Sequence, residues 1–371
     1  MTPTDRVVIW RQTWLPGSET FIRNQVDSLS HWRALPIAVE HLDSPISGGG
    51  SIVLGDGLPD RIRRRSYRVT RRSSAVRRAI RDAAPAIIHA HFANDAGLIE
   101  PIARQLRVPM VVTVHGYDLT VTRDRPRRDA RDVAAGLRRA QSVITLSRFM
   151  ADRAVRQGAD PGKILTIPTG IPIPPDPGPR RADDDTVKVL FVGRLVEKKG
   201  VEDAIRAVAA VAAKGHRLAL TIAGSGPMEA ELKALPPQVR ASVRFVGAIS
   251  PSSVRELMAT HDLFLAPSKT APNGDSEGFG MVFLEAAAHR LPAVGYVHGG
   301  VPEAVVDGET GLLAPEGDLE QLSARLEQLV ESEAMRLEMG LAGRRRVETD
   351  FDVRKCTAQL ERHYDSVVGR G

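Results

Sequence analysis

Cysteine is almost absent from this chain: Cys356 is the only one among 371 residues. A single cysteine excludes internal disulfides and cysteine-rich metal sites, and it is typical of proteins in a reducing cytoplasm. No apolar run approaches the roughly 18 residues of a membrane-spanning helix, so none is expected. The opening residues, Met1–Arg6, form no apolar stretch, so a signal peptide is not expected either.

Several common functional signatures are also missing. The sequence contains no Gly-x-x-x-x-Gly-Lys phosphate loop, which argues against a nucleoside triphosphatase. The basic segments hold almost no aromatic residues for base stacking, so nucleic acid is not an expected partner. His89 and His91 point to one strand face, but no carboxylate or cysteine cluster completes a site, so no metal is expected.

Charge is unevenly distributed along the chain. Residues 1–175 hold 27 Lys and Arg against 16 Asp and Glu, a net of +11, and the remainder holds 24 against 29, a net of −5. Ten arginines fall between Arg61 and Arg81. Such a segment is either a solvated face or a surface attracted to membrane headgroups or a phosphorylated acceptor. We therefore regard an anionic membrane surface as a candidate partner of Arg61–Arg81.

Two alternations of strand-like and helix-like segments lie on either side of a proline-rich stretch. Their alternation predicts an α/β fold with parallel sheets covered by helices, and the length of the chain suits two domains. Six prolines between Pro168 and Pro179 mark a linker. We divide the chain into an N-terminal domain (1–170), a linker (171–186), a C-terminal domain (187–350) and a terminal helix (351–371).

The most informative motif is a glycine-rich turn that leads into a helix-forming segment, with a glutamate on each side. Glu277 precedes the turn, and Glu285 lies roughly a turn and a half into the predicted helix. Gly278 and Gly280 permit a tight turn and close backbone approach to a ligand. Backbone N–H groups at the helix start bind anions, and ionised carboxylates accept hydrogen bonds from hydroxyls. This arrangement fits a nucleotide-sugar, whose diphosphate lies between sugar and ribose.

A second loop supplies positive charge. Arg194 and Lys199 lie between a predicted strand and a predicted helix. Fixed cations stabilise the phosphoryl oxygens of a leaving diphosphate as they gain charge. The alternative is a solvated basic loop, and Lys198 could exchange roles with Lys199.

These motifs together resemble glycosyltransferase family 4. The resemblance rests on EGFGMVFLEAAA at Glu277–Ala288, on GGVPE at Gly299–Glu303, on DGETG at Asp307–Gly311 and on the loop of Arg194 and Lys199. It implies a GT-B fold, in which two Rossmann-like domains have parallel sheets that face each other across an inter-domain cleft. It also implies that the terminal helix crosses back to the N-terminal domain.

The resemblance further implies a retaining, metal-independent hexosyltransferase that needs no cofactor and takes a UDP- or GDP-sugar as substrate. Glu285 would bind the ribose hydroxyls, and Glu277 those of the transferred sugar. Arg194 and Lys199 would hold the diphosphate. The remaining donor contacts would come from the backbone of the turn at Gly278, Phe279, Gly280 and Met281.

Two N-terminal motifs extend the resemblance. His115 begins a His-Gly-Tyr-Asp sequence similar to the family's His-Gly-x-Asp motif, whose histidine lies beside the transferred sugar. The stretch after the first strand resembles the first loop of relatives that build bacterial surface polysaccharides and exopolysaccharides, a loop that approaches donor phosphates and acceptor. Its candidate residues are Gly17, Ser18, Glu19 and Thr20. Ser18 or Thr20 could equally be an ordinary helix N-cap.

The sequence therefore predicts a glycosyltransferase that moves a hexosyl unit to a glycan or lipid-linked acceptor in cell-envelope or exopolysaccharide synthesis. Two alternatives are a non-catalytic nucleotide-sugar-binding regulatory protein and a GT-B nucleotide-sugar epimerase. Hydrolysis of a nucleotide-sugar would separate the enzyme from the regulator. The expected location is cytoplasmic, with peripheral attachment to the inner face of the plasma membrane if Arg61–Arg81 binds lipid.

Overall fold

The computed structural model describes residues 5–16, 19–41, 44, 46, 52–53, 67, 70–71, 73–121, 125–178 and 186–370. Contacts between Cα atoms divide the chain into two compact units, which we call unit 1 (Met1–Pro172 with Asp352–Gly371) and unit 2 (Ile173–Phe351). Gly17, Ser18 and nine of the 21 residues of Arg61–Arg81, among them six of its ten arginines, lie outside the described residues.

Unit 1 contains a seven-stranded parallel sheet in the order β3-β2-β1-β4-β5-β6-β7. Its strands are β1 (Arg6–Trp14), β2 (Arg33–His41), β3 (Ile52–Val53), β4 (Ile87–His91), β5 (Met110–Thr113), β6 (Ser142–Thr145) and β7 (Ile164–Thr166). The helices of unit 1 that the structure describes are Thr20–Asp27, Ser74–Ala83, Ala93–Leu106, Tyr117–Thr120, Arg127–Arg139, Arg148–Arg156 and Val353–Val367, with a short 3-10 helix at Pro161–Lys163.

Both faces of this sheet are buried, which explains why its strands read as nearly continuous apolar runs. Successive residues of a strand point to opposite faces, so Trp10 packs in one core and Ile9 in the other. Leu360 and Tyr364 of the last helix belong to the same core as Ile9. The C-terminal helix is thus an integral layer of unit 1.

Glu361 fastens that helix to the turn after Thr20–Asp27. Its carboxylate accepts hydrogen bonds from the backbone N–H groups of Ser30, His31 and Trp32 at 2.7–2.9 Å. Burial acts to raise the pKa of Glu361, but these hydrogen bonds outweigh it and hold the pKa below its usual value. The helix therefore contributes an ionised, fully hydrogen-bonded carboxylate to this contact.

Unit 2 contains a six-stranded parallel sheet in the order β10-β9-β8-β11-β12-β13. Its strands are β8 (Val187–Val192), β9 (Leu218–Ala223), β10 (Val243–Gly247), β11 (Leu263–Ala266), β12 (Ala293–Val297) and β13 (Gly311–Pro315). The helices of unit 2 that the structure describes are Val201–Ala213, Glu229–Lys233, Pro237–Arg240, Pro251–Thr260, Met281–Ala288, Val301–Ala304, Leu319–Glu331 and Glu333–Asp350, with a 3-10 helix at Glu197–Lys199.

Apolar residues of the strands and of two long helices form the core of unit 2. Phe191 and Leu265 from the sheet pack with Ile205 of Val201–Ala213 and with Leu326 of Leu319–Glu331. Both units therefore have the predicted α/β arrangement of a Rossmann-like domain. Within the described ranges, no helix combines the length and the apolar character needed to cross a bilayer.

Candidate functional site

Most of the predicted donor residues lie on loops at the carboxyl ends of the central strands in unit 2. β8 and β11 are neighbours at the centre of this sheet, and the chain passes from β8 outward to β9 and from β11 outward to β12. The loops after β8 and β11 therefore diverge from a topological switch point, where open α/β sheets bind ligands. Arg194 and Lys199 lie on the first loop, and Glu277 lies on the second.

Two ion pairs join these loops. Lys199 donates from Nζ to a carboxylate oxygen of Glu277, and Lys198 Nζ lies 2.9 Å from Asp275. Burial acts to raise the pKa of Glu277, but the two lysines outweigh it, so the pKa is lowered from its usual value. Glu277 is therefore ionised at neutral pH.

Arg194 differs from the lysines in its surroundings. Its side chain is exposed, and it makes no ion pair or side-chain hydrogen bond with any residue in the described ranges. Its loop is nevertheless fixed, because Leu195 N–H donates to the carbonyl of Ser225 at 3.0 Å. At Gly200, where φ is +65°, a Cβ would lie only 1.8 Å from the carbonyl oxygen of Pro267. Arg194 thus extends as an unpaired cation from a rigid loop.

The glycine-rich turn packs directly on the Gly299–Gly300 pair. A Cβ on Gly299 would lie 2.2 Å from the carbonyl oxygen of Glu277, and one on Gly300 would lie 2.1 Å from that of Gly278. Gly280 adopts φ +90° as the residue before the helix Met281–Ala288 and offers no side-chain cap. Because the first N–H groups of a helix lack partners within it, this start is suited to an anion. Phe279, by contrast, is buried at 3% exposure and packs on Phe351 with ring centroids 5.6 Å apart.

A histidine that the sequence analysis did not single out supports Glu277. His298, which follows β12, accepts a hydrogen bond at Nε2 from Glu277 N–H at 3.1 Å. Its other nitrogen, Nδ1, lies 2.8 Å from Glu316 Oε2, and Glu316 Oε1 accepts from Thr270 N–H at 2.6 Å. Only a ring with its proton on Nδ1 satisfies both contacts of His298. Glu316 and His298 thus anchor the loop after β11 at both of its ends.

Glu285 lies in the helix Met281–Ala288 and differs electrostatically from Glu277. Burial raises its pKa to about 7, against the lowering effect of Arg255 and Lys199. The two glutamates therefore have opposite pKa shifts because Glu277 has a direct lysine partner. Near neutral pH, Glu285 exchanges between its neutral and ionised forms.

In unit 1, a buried aspartate shapes the loop that carries His115. Asp118 accepts backbone hydrogen bonds from Ala93, His115 and Gly116 at 2.9–3.1 Å. Gly116 has φ +140°, a conformation that glycine adopts readily. The Asp of the His-Gly-Tyr-Asp sequence thus fixes the backbone at His115.

Three histidines stack beside this loop. His89 and His91 have ring centroids 4.4 Å apart, and His91 and His115 have centroids 5.2 Å apart. His91 Nδ1 lies 2.9 Å from His115 Nε2. Burial lowers the pKa of both His91 and His115 well below the usual value, with the positive charge of Arg11 adding to the effect. The two rings are therefore neutral at pH 7.

The first loop is held by a buried charge cluster. Arg11 of β1 binds both carboxylate oxygens of Glu19 and lies 2.5 Å from Asp95, and its guanidinium lies over the ring of Phe92 at 4.2 Å. Burial raises the pKa of Glu19, while Arg11 acts to lower it. Glu19 therefore binds Arg11, and Thr20 is the first residue of the helix Thr20–Asp27.

One cluster in the described part of the chain has the spacing of a metal site, and it does not coincide with the donor residues. His216, Glu327 and Glu331 bring ligand atoms within 4.8 Å of one another. His216 precedes β9 and so lies at the amino ends of the strands, whereas the donor loops lie at their carboxyl ends. Lys214 lies 2.6 Å from Glu327 and already supplies a positive charge. This cluster has no connection to the predicted chemistry.

Comparison with known proteins identifies matching families over both units. Residues 11–170 match the family described as Glycosyl transferase 4-like domain, and residues 174–346 match Glycosyl transferases group 1. The amylovoran biosynthesis glycosyltransferase AmsK of Erwinia amylovora is 32% identical over 276 residues, which cover 73% of this chain and 67% of AmsK. A glycogen synthase of Mycobacterium tuberculosis is 32% identical over 288 residues, or 74% of this chain and 68% of that protein.

A solved structure shows the same fold over nearly the whole chain. Anabaena HepE in complex with UDP-glucose superposes with a TM-score of 0.76 at 19% identity, covering 97% of this chain and 99% of HepE.

Proposed function

The chain belongs to glycosyltransferase family 4, and from that premise we propose that it transfers a hexosyl unit from a nucleoside diphosphate sugar to a glycan or lipid-linked acceptor. The observation that carries this proposal is the ion pair of Lys199 with Glu277 beside the uncapped start of the helix Met281–Ala288. The similarity to AmsK supports a role in the synthesis of a cell-envelope or extracellular polysaccharide.

Three groups offer a site for the diphosphate. Arg194 is an exposed cation with no ion pair in the described ranges, and the helix beginning at Met281 presents backbone N–H groups. Lys199 has three N–H donors, and the structure shows one of them on Glu277. The other two remain for phosphate oxygens. These charges would stabilise the diphosphate as it leaves without a metal ion.

The two glutamates would bind opposite ends of the donor. Glu277 is ionised and held by Lys199, so it can accept hydrogen bonds from hydroxyls of the transferred sugar. Glu285, further along the helix, would accept from the ribose hydroxyls. The pKa of Glu285, about 7, makes this second contact dependent on pH near neutrality.

We infer a retaining reaction in which the acceptor attacks the face from which the diphosphate departs. The bond between the anomeric carbon and the phosphate oxygen breaks, and the bond to the acceptor oxygen forms. The acceptor's proton passes to the departing phosphate oxygen. His115, being neutral, would contribute a hydrogen bond to the sugar rather than a proton.

We further propose that the enzyme works in the cytoplasm at the inner face of the plasma membrane. The excess of positive charge in residues 1–175 supports this location. In the described part of the basic segment, Arg78 and Arg81 are exposed on the helix Ser74–Ala83, whereas Arg71 forms an ion pair with Asp132. Arg78 and Arg81 are thus available for lipid headgroups.

A thermal-shift screen with UDP-, GDP- and ADP-sugars, with and without EDTA, tests the donor class. A ligand at 100 times its dissociation constant stabilises a protein by roughly 2.7 kcal/mol. We expect the sugars of one nucleotide to raise the melting temperature equally with and without EDTA. Arg194→Ala should abolish that rise. The stabilising nucleotide-sugar should then be hydrolysed slowly, with the released sugar in its original anomeric configuration. No stabilisation by any of the three series would contradict the proposal.

A further inference from the structure

His91 has no role in the chemistry described so far, yet it makes the closest polar contact of the His115 ring. Their nitrogens, His91 Nδ1 and His115 Nε2, lie 2.9 Å apart. The opposite nitrogens, His91 Nε2 and His115 Nδ1, are buried and have no hydrogen-bond partner among the described residues. The two rings thus share one hydrogen bond and leave one nitrogen open at each end.

Two neutral rings carry two protons on four nitrogens, and the shared contact restricts where these protons can be. If His91 donates from Nδ1, its own Nε2 is bare, and His115 must carry its proton on Nδ1 because its Nε2 accepts. If His115 donates from Nε2, its Nδ1 is bare, and the proton of His91 must lie on Nε2. The first arrangement makes His115 Nδ1 a donor, and the second makes it an acceptor.

The cost of a buried, unpaired N–H separates these arrangements. His91 Nε2 and His115 Nδ1 are both buried without a partner among the described residues, so without a ligand each arrangement leaves one unpaired N–H. The second arrangement leaves an N–H without a partner on His91, and unpaired N–H groups are rarer in proteins than unfilled acceptors. The first leaves it on His115, where an oxygen of the transferred sugar would accept it. The choice of tautomer therefore rests on the proposed function, whereas the hydrogen bond between the two rings does not.

The stack behind His91 fixes its ring. His89 contacts Tyr364 at 2.5 Å through Nδ1 and Thr113 at 2.7 Å through Nε2, and its ring stacks on His91. His91 can therefore turn little about its side-chain bonds. We propose that His91 is a positioning residue, which donates from Nδ1 to Nε2 of His115 and so fixes His115 as the tautomer that donates from Nδ1 to the sugar.

Nitrogen-15 NMR of the full chain with labelled histidine tests this proposal directly, because long-range proton–nitrogen correlations distinguish protonated from bare ring nitrogens. His115 signals are assigned by their loss in His115→Gln. We expect wild-type His115 to show a protonated Nδ1 and a bare Nε2 at pH 7. The opposite pattern would overturn the proposal without any variant of His91.

Variants of His91 supply the second measurement. His91→Asn keeps an N–H donor near the position of Nδ1, so His115 should keep its tautomer. His91→Leu removes the donor, so His115 should become a mixture of tautomers, and hydrolysis of the nucleotide-sugar found in the screen should fall at least tenfold in kcat with little change in KM. His216 is a half-buried histidine of unit 2. The control His216→Asn should change neither the tautomer of His115 nor kcat.

An unchanged His115 spectrum in His91→Leu would refute the positioning role. If no nucleotide-sugar binds but the tautomer responds as expected, the proposed function fails and the inference about His91 stands. Rescue of kcat by Asn but not by Leu would show that the hydrogen bond, rather than the volume of the side chain, is what His91 contributes.

Discussion

Lys199 and Glu277 are joined by an ion pair that links the loop after β8 to the loop after β11, although they are 78 positions apart in sequence. Their side chains are only 20% and 14% exposed, so this pair is largely removed from solvent. Loss of one partner would leave the other as a poorly solvated charge, which proteins rarely tolerate without cost. The pair therefore has both a structural and a chemical role.

Arg194→Ala and Lys199→Ala should separate these two roles. Both should lower turnover by roughly 10²-fold, because each removes charge that stabilises the leaving diphosphate. Only Lys199→Ala should also lower the free energy of unfolding, by about 1–3 kcal/mol, since Glu277 loses its partner. Steady-state hydrolysis and chemical denaturation measure these effects. Turnover at the wild-type rate in both variants would exclude the assigned diphosphate site.

Glu285→Gln and Glu277→Gln should have different effects on ligand binding. We expect Glu285→Gln to weaken binding of the nucleoside diphosphate alone, because that ligand contains the ribose. Glu277→Gln should leave this binding nearly intact and weaken binding of the complete nucleotide-sugar. Calorimetry with both ligands measures the difference, and the reverse pattern would contradict the two assignments.

Binding of the nucleoside diphosphate should strengthen as pH rises through about 7, the pKa of Glu285. Below this pKa the carboxyl is protonated and accepts ribose hydroxyls poorly, so affinity should fall by up to about tenfold per pH unit. The free energy of unfolding should change in the opposite sense. Because the pKa of Glu285 is raised from 4.5, its contribution to stability is fully present below about pH 4.5 and is lost as pH rises through about 7. Calorimetry at pH 6 and 8 should show the affinity trend in the wild type and a flat profile in Glu285→Gln.

His298→Leu should weaken both the fold and the donor site. It leaves Glu277 N–H without its acceptor, at a cost of about 1–3 kcal/mol for an unsatisfied buried group, and it removes the contact with the exposed Glu316. His298→Gln keeps an amide oxygen near the position of Nε2 and should recover part of the loss. Thermal unfolding and titration with the nucleotide-sugar compare the two variants. Equal behaviour of Leu and Gln would show that the hydrogen bond to Glu277 is unimportant.

The combined replacement of Arg78 and Arg81 by Ser should reduce co-sedimentation with anionic vesicles by roughly 30-fold at low salt, since each basic residue near such a surface contributes about 1 kcal/mol. Two exposed arginines of unit 2, Arg244 and Arg345, provide the matched control. Donor hydrolysis should remain unchanged in both variants. Equal sedimentation of the wild type on neutral and anionic vesicles would favour a soluble acceptor instead.

The sequence predicted most of the fold because both sheets are parallel and buried, so their strands read as short apolar runs. The strands Ile87–His91 and Leu218–Ala223 are examples of such runs. Two edge strands are not evident from the sequence: β7 (Ile164–Thr166) is only partly buried, and β13 (Gly311–Pro315) begins inside the DGETG motif. In both cases neighbouring strands, rather than the local pattern, determine the structure.

The candidate site was predictable where motif and contact lie close together in sequence. Asp118 fixes the backbone at His115 three residues away, and Gly280 precedes the helix start. Contacts between distant residues leave no local pattern, so sequence could not reveal that Arg11 binds Asp95, 84 positions away. The pairing of Lys198 with Asp275, which gives the two adjacent lysines different partners, was hidden for the same reason.

The return of the chain to unit 1 has a consequence for folding during synthesis. Val353 N–H donates to the carbonyl of Ile171 at 2.9 Å, so the chain leaves and re-enters unit 1 at neighbouring points. Leu360 and Tyr364, which close one face of the first sheet, are translated only after all of unit 2. Domains generally fold as units while the ribosome extends the chain. Unit 2 can therefore complete its core first, and unit 1, although begun earlier, is finished last.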